Sequence, residues 1–506
     1  MHQRVLLSAC LVAATVTIGL AATNDLRLIE AVRARNPERV RALLAERVNV
    51  NATQGDGATA LHWAVHLDDD ALVETLIRAG ARADVADDTG VTPLYLACTN
   101  RNADAVSRLL AAGANPNAAL LSGETVLMTC ARAGNATAVR ALLSRGASVN
   151  AKESTHNQTA LMWAAVQSHP QVVQALLARG SDVGVRSREY AQTVTSEVTQ
   201  RAGREALNYT VPRGGMTALL FAARSGDAES ARLLVAAGAD VNDALPDGTS
   251  ALIVAAHSGH RQVAMALLEK GANPNADRIG YTALHAAVLR SDLDLVKALL
   301  ARGADPNAAI TNGTPVRRNS QDFELPKTLI GATPYALAAK FLEPEIMRAL
   351  ASANADTRRP LKDGATPLMA AAGMGIVAPA QDEKRGTDRR GLAILDGGIV
   401  EPESRVLETV TTALTLGSDL EAVNPSGETA LHIAVARGDA LVRFLAENGT
   451  RVDIKDKFGR TPLDVAMGVP GGGGGRGRGG RGGPAPTAGT VRESTAALLK
   501  ELMKAP

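Results

Sequence analysis

Aromatic residues are nearly missing from this sequence: Phe, Tyr and Trp together make up 2% of 506 residues. A chain of this length exceeds what one hydrophobic core can organise, and several ordinary domains would need large rings to fill their interiors. Hydrophobic residues still reach 46%. They are mostly Ala, Leu and Val, so the core must be thin and assembled from small side chains at close helix contacts. An excess of charge is missing as well. The 54 basic and 52 acidic side chains leave a formal net charge of +2, which gives no overall field toward nucleic acid or an acidic membrane surface.

Cysteine is scarce. Of the three, Cys10 lies in an N-terminal apolar segment, leaving Cys98 and Cys130 as the only candidates for a bridge. Both fall in helical patterns at positions where equivalent segments of the chain carry Ala, which predicts small buried thiols rather than a disulfide or a metal site. No CxxC or CxxCH occurs, so zinc ribbons, thioredoxin-like redox chemistry and attached haem have no support. G-x-S-x-G, H-E-x-x-H, a Walker A loop and a dinucleotide fingerprint are also missing from any suitable strand context. The chain is therefore expected to be no enzyme, with no catalytic residue, no metal and no cofactor.

Long apolar runs are confined to the start. Arg4, the run from Val5 to Leu20 and the small residues Ala21 and Ala22 read as a signal peptide over residues 1–22. The run is short for a membrane span, which takes about 20 apolar residues, and a helical pattern begins at Asp25 with almost no linker. The expectation is cleavage and export to the periplasm or the cell exterior, with an N-terminal membrane anchor as the alternative.

What the sequence does contain is repetition. A motif of Thr or Ser, a small residue or Pro, usually Leu, then often His or Met begins at Thr59, Thr92, Thr125, Thr159, Thr217, Ser250, Thr282, Thr333, Thr366, Thr429 and Thr461. Its steps are 32 to 34 residues, except for 58, 51 and 63 where extra segments intervene. Thr is a helix N-cap, Pro is welcome at the first helical position, and a polar side chain three residues later can reach back to the cap. The pairs Thr59 and His62, Thr282 and His285, and Thr429 and His432 are therefore assigned a structural role at helix starts. A second amphipathic helix follows in each unit, as in Asp70–Ile77 and Gln262–Leu268, with apolar residues at three- and four-residue intervals. Glycines such as Gly80, Gly113 and Gly146 close these helices.

Eleven copies of Thr-Pro-Leu-His-like starts on a 33-residue period resemble the ankyrin repeat, most fully around residues 57–66 and 427–436, and the overall pattern is similar to large exported ankyrin proteins of bacteria. The resemblance implies an all-α repeat solenoid of stacked helix–turn–helix units with projecting turns. In this reading residues 23–54 form a capping helix pair, 55–183 hold repeats 1–4, 213–308 repeats 5–7 and 331–460 repeats 8–10. Residues 461–506 form a last repeat split by the Gly/Arg-rich tract 471–483. Segments 184–212, 309–330 and about 376–402 are expected as insertion loops, the first without an apolar stripe wide enough for a domain.

The resemblance also implies protein partners docking on the side formed by the projecting turns and first helices. By motif offset that surface includes Trp63, His66, Asn100, His156, Trp163, Phe221, Arg224, His257, Arg278, Tyr281 and Arg290. Trp63, Trp163 and Phe221 share the fifth motif position, where a large ring either anchors an interface or fills a gap between alanines. The expected function is an exported, monomeric, non-catalytic protein-binding scaffold. Its alternatives are a regulator or inhibitor of one exported enzyme, and a ligand or nucleic-acid binder using the insertions and the Gly/Arg tract. That tract lacks interleaved aromatics, so a flexible linker is the simpler reading and nucleic acid is not the expected partner.

Overall fold

Each repeat begins where a threonine or serine stops the chain from being extended and starts a helix. Thr92 Oγ1 accepts the Tyr95 amide at 3.2 Å, and Pro93 at the first helical position has no donor to waste. The computed structural model of the protein describes residues 25–195, 208–312, 329–373, 403–470 and 492–504. The expected signal peptide, most of the second insertion, the whole of the third and the Gly/Arg tract lie outside the described residues.

Among the described residues are 24 helices in antiparallel pairs, and their contacts form two units, 1–154 and 155–506. The first unit holds the pair Arg27–Arg33 and Pro37–Ala45, followed by repeats 1–3, whose first helices are Ala60–His66, Pro93–Thr99 and Val126–Ala133. The second unit runs from Ala160–Val166 in repeat 4 to Pro462–Ala466 and Glu493–Leu502 in repeat 11. Within each unit a first helix packs on its own second helix and on the first helices of its neighbours. The motif leucines Leu61, Leu94, Leu127, Leu161, Leu219, Leu252 and Leu284 fill that seam and are fully buried. Burial of each contributes about 1.5–3 kcal/mol. This is an all-α repeat solenoid, in which no repeat could bury its apolar face alone.

A recurring asparagine ties one repeat to the next at the base of the projecting turns. Asn51 Nδ2 donates to Gly80 O at 3.2 Å while its Oδ1 accepts the Arg82 amide at 2.8 Å. Asn117 does the same with Gly146 and Ser148, and Asn275 with Gly303 and Asp305. Both halves of the amide are thus used on the carbonyl and amide left orphaned at the end of the neighbour's second helix. At the tips the backbones come close enough to bond directly, as in Thr311 N to Gly280 O at 2.8 Å. Gly280 has φ +90°, and an added Cβ would lie 2.6 Å from Asn312 N, so only glycine fits.

Two expectations are corrected. Cys98 and Cys130 are not free thiols; they form a disulfide between the first helices of repeats 2 and 3, with Cα atoms 4.6 Å apart. The alanine-sized slots that argued for small thiols are contact positions between adjacent helices, so two cysteines in them face one another. Segment 184–212 is not simply a loop. It contains strand β1 (Tyr190–Thr195), which pairs antiparallel with β2 (Asn208–Arg213) from Tyr190↔Arg213 to Thr195↔Asn208. Thr, Val and Tyr favour this pairing in strands too short to show an apolar stripe. The hairpin's base is held by Arg186, which donates to Gly215 O at 2.7 Å and Ala244 O at 3.0 Å and pairs with the buried Asp243. The other oxygen of Asp243 accepts the hydroxyl of Thr217, the cap of repeat 5.

Candidate partner-binding surface

The three motif histidines are buried and use both ring nitrogens. The backbone N–H of Thr59 donates to His62 Nδ1 at 3.1 Å, that of Thr282 to His285 Nδ1 at 3.2 Å, and that of Thr429 to His432 Nδ1 at 3.1 Å. Nδ1 is therefore the acceptor, and Nε2–H donates to Val91 O, Ala308 O and Arg460 O respectively, at 3.0–3.1 Å. These carbonyls lie 29, 23 and 28 residues further along, at the junction with the following repeat, so the ring closes a helix start and clamps the next turn together. Burial lowers the pKa of all three, and that of His285 falls to about 4. A neutral, doubly committed imidazole offers neither a base nor a metal ligand to solution.

In the first unit the candidate surface centres on Trp63. Its ring is half-buried, its Nε1–H donates to Gln54 Oε1, Arg33 stacks 4.6 Å from its centroid, and His66 meets it edge-on at 5.6 Å and 89°. Arg33 and His66 are exposed. The indole is thus held in one orientation by three neighbours, with part of the ring left open to solvent. Asn100 belongs to the scaffold, since its Nδ2 donates to Val65 O at 2.7 Å.

In the second unit Trp163 is half-buried and one turn from Val166, which is 39% exposed. His156, Arg224 and Arg278 are exposed. Phe221 and Tyr281, expected on the contact surface, are buried instead, at 8% and 5% exposure, and serve as core-filling rings between small side chains. Tyr281 OH meets His257 Nδ1 at 3.1 Å, and Arg290 Nε donates to His257 O at 2.7 Å, so these three side chains hold repeats 6 and 7 together. A cavity of about 350 Å³ lies beside Arg290, Ser291, Glu343, Glu345 and Arg405. Its charges are matched: Arg405 pairs with Glu343, Glu345 and Glu408, and its hydrogen bonds hold the Glu345 carboxyl below its usual range. The cavity is a joint between repeats 7, 8 and 9.

A family model described as ankyrin repeats in three copies matches residues 28–120, 106–187, 219–310 and 403–469, and a second, of many copies, matches 161–235. Well over half of the chain is covered. The chain belongs to the ankyrin-repeat family. Comparison with curated proteins finds no match. Ankyrin repeats are protein-interaction modules, and the surfaces around Trp63 and Trp163 are carried by first helices of such repeats. Among the described residues no three His, Cys, Asp or Glu side chains are grouped to hold a metal ion, and no helix is long and apolar enough to cross a membrane. Motif reading missed the asparagine ties, the Arg33 and Gln54 partners of Trp63, and the disulfide. The asparagines recur near the repeat period, and Cys130 follows Cys98 by 32 residues, one short of the 33-residue step between Thr92 and Thr125. That signal becomes readable once contacts between repeats are considered.

Proposed function

We propose that this ankyrin protein is an exported, non-catalytic scaffold that binds a protein partner through the first-helix surfaces around Trp63 and Trp163. The observation that carries the reading is the fixed, half-exposed indole of Trp63, held by Gln54, Arg33 and His66 with two exposed polar side chains at its rim. Large rings in such settings dominate binding energy, while exposed charges contribute little. Export is supported by the signal-like residues 1–22 and by the Cys98–Cys130 disulfide, since such bonds persist in oxidising compartments. The protein purified from its native cells, with whatever it carries, supplies the partner. Against that partner, Trp63→Ala combined with Trp163→Ala should weaken binding by at least about tenfold, and Arg224→Glu by far less. Circular dichroism must show that both variants keep their helices. Undiminished binding by the folded double variant would remove these surfaces from the interface.

A further inference from the structure

We propose that the Cys98–Cys130 disulfide is a sealed structural bond, made while repeats 2 and 3 are apart and then closed off from redox exchange when they stack. Both residues have no solvent exposure. Cys98 lies on the helix Pro93–Thr99, six residues after its cap, and Cys130 on Val126–Ala133, five residues after its cap. Between repeats 1 and 2 the same two positions are Val65 and Ala97, and between repeats 5 and 6 they are Ala223 and Ala255, all buried. At this contact the array elsewhere uses side chains that can only pack; repeats 2 and 3 carry the pair that can also bond.

Thiol–disulfide exchange requires a third sulfur to approach one of the bonded sulfurs. With both cysteines fully buried, no donor or reductant can reach them in the stacked state. The bond therefore forms in an open state. A Cys98 thiolate attacks a donor disulfide such as glutathione disulfide, making a mixed disulfide and releasing one glutathione thiolate. The Cys130 thiolate then attacks the Cys98 sulfur and releases the second. The protein gives up two protons and two electrons, and the donor is reduced to two thiols. A redox sensor needs an accessible, activated cysteine; this pair has the opposite setting.

The test uses the full-length protein and mass spectrometry of alkylated peptides. Unfolded without reductant in the presence of iodoacetamide, it should leave Cys98 and Cys130 unlabelled and yield their linked peptides. Native protein treated with dithiothreitol and then quenched should lose the bond at least about tenfold more slowly than protein in denaturant, because reduction waits for local opening. Protein refolded in reductant and then given glutathione disulfide should be oxidised more slowly than the unfolded chain by a similar factor. Cys98→Ala with Cys130→Ala, which places alanine where the array already uses it, should keep the helices and show faster hydrogen exchange over residues 93–144. Free thiols at Cys98 and Cys130 in the unfolded starting protein would overturn the proposal. So would reduction of the native bond as fast as in denaturant, or exchange in the double variant matching the oxidised protein.

Discussion

At the residue scale the motif histidine illustrates how one side chain serves two repeats. His285 Nδ1 takes a backbone proton donor and Nε2–H gives to a carbonyl, so protonating Nδ1 would set two donors against each other inside the core. Its folded pKa of about 4 lies below the roughly 6.5 of an unfolded histidine, so the unfolded chain binds more protons on acidification. The stability that depends on neutral His285 is complete above pH ~6.5 and drains as pH falls toward ~4, by roughly 3 kcal/mol. Denaturant melts across that range should show His285→Gln less acid-sensitive than the parent, and equal slopes would refute the assignment. Tyr335 shows the reverse case. It fills the motif leucine position with no exposure, its hydroxyl finds no partner among the described residues, and burial pushes its pKa up. A buried hydroxyl left unsatisfied costs about 1–3 kcal/mol. Tyr335→Phe should therefore melt at the same denaturant concentration as the parent or higher, and a clear loss of stability would mean that the hydroxyl is bonded.

The repeat as an element was almost wholly legible in the sequence, because its signals are local. A cap, a proline, a leucine and a terminal glycine each act within one helix, and all recur on the same period. Contacts between repeats were not legible residue by residue. Phe221 and Trp163 occupy the same motif position, yet one is covered and the other half-open, so the motif offset alone does not decide exposure. The hairpin β1–β2 escaped for another reason: its strands pair with each other, and the described side chains of β1, Tyr190 to Thr193, are exposed, so no hydrophobic pattern announces it. Leu252 is buried between helices of adjacent repeats, and Leu252→Ala should cost about 2–5 kcal/mol in denaturant melts while the protein stays helical. A melt like that of the parent would place this leucine outside the core.

Over the whole molecule, stability is the sum of many neighbour contacts, so it need not be uniform. The first helices of repeats 9, 10 and 11 are five residues long, against seven or eight in repeats 1–8. The second helix of repeat 10 starts at Gly438 with no side-chain cap. Amides of 430–466 should accordingly exchange with deuterium sooner than those of 251–301, whose first helices are seven residues long; equal protection would contradict this ranking. The partner's identity was not legible at any scale, since the repeats share one framework and recognition resides in the few side chains that vary upon it.

The asparagine ties have a further consequence for how such a chain can grow. Asn307 Nδ2 reaches Asn354 O at 3.1 Å and its Oδ1 accepts the Asp356 amide at 2.7 Å, although 47 and 49 residues separate the partners, where Asn275 spans 28 and 30. The clasp registers only where its two ends sit and not how much chain runs between them. Repeats 7 and 8 are thus joined as a mason joins courses of brick, with the mortar indifferent to what hangs from the wall, and lengthening the segment at this point leaves that joint intact.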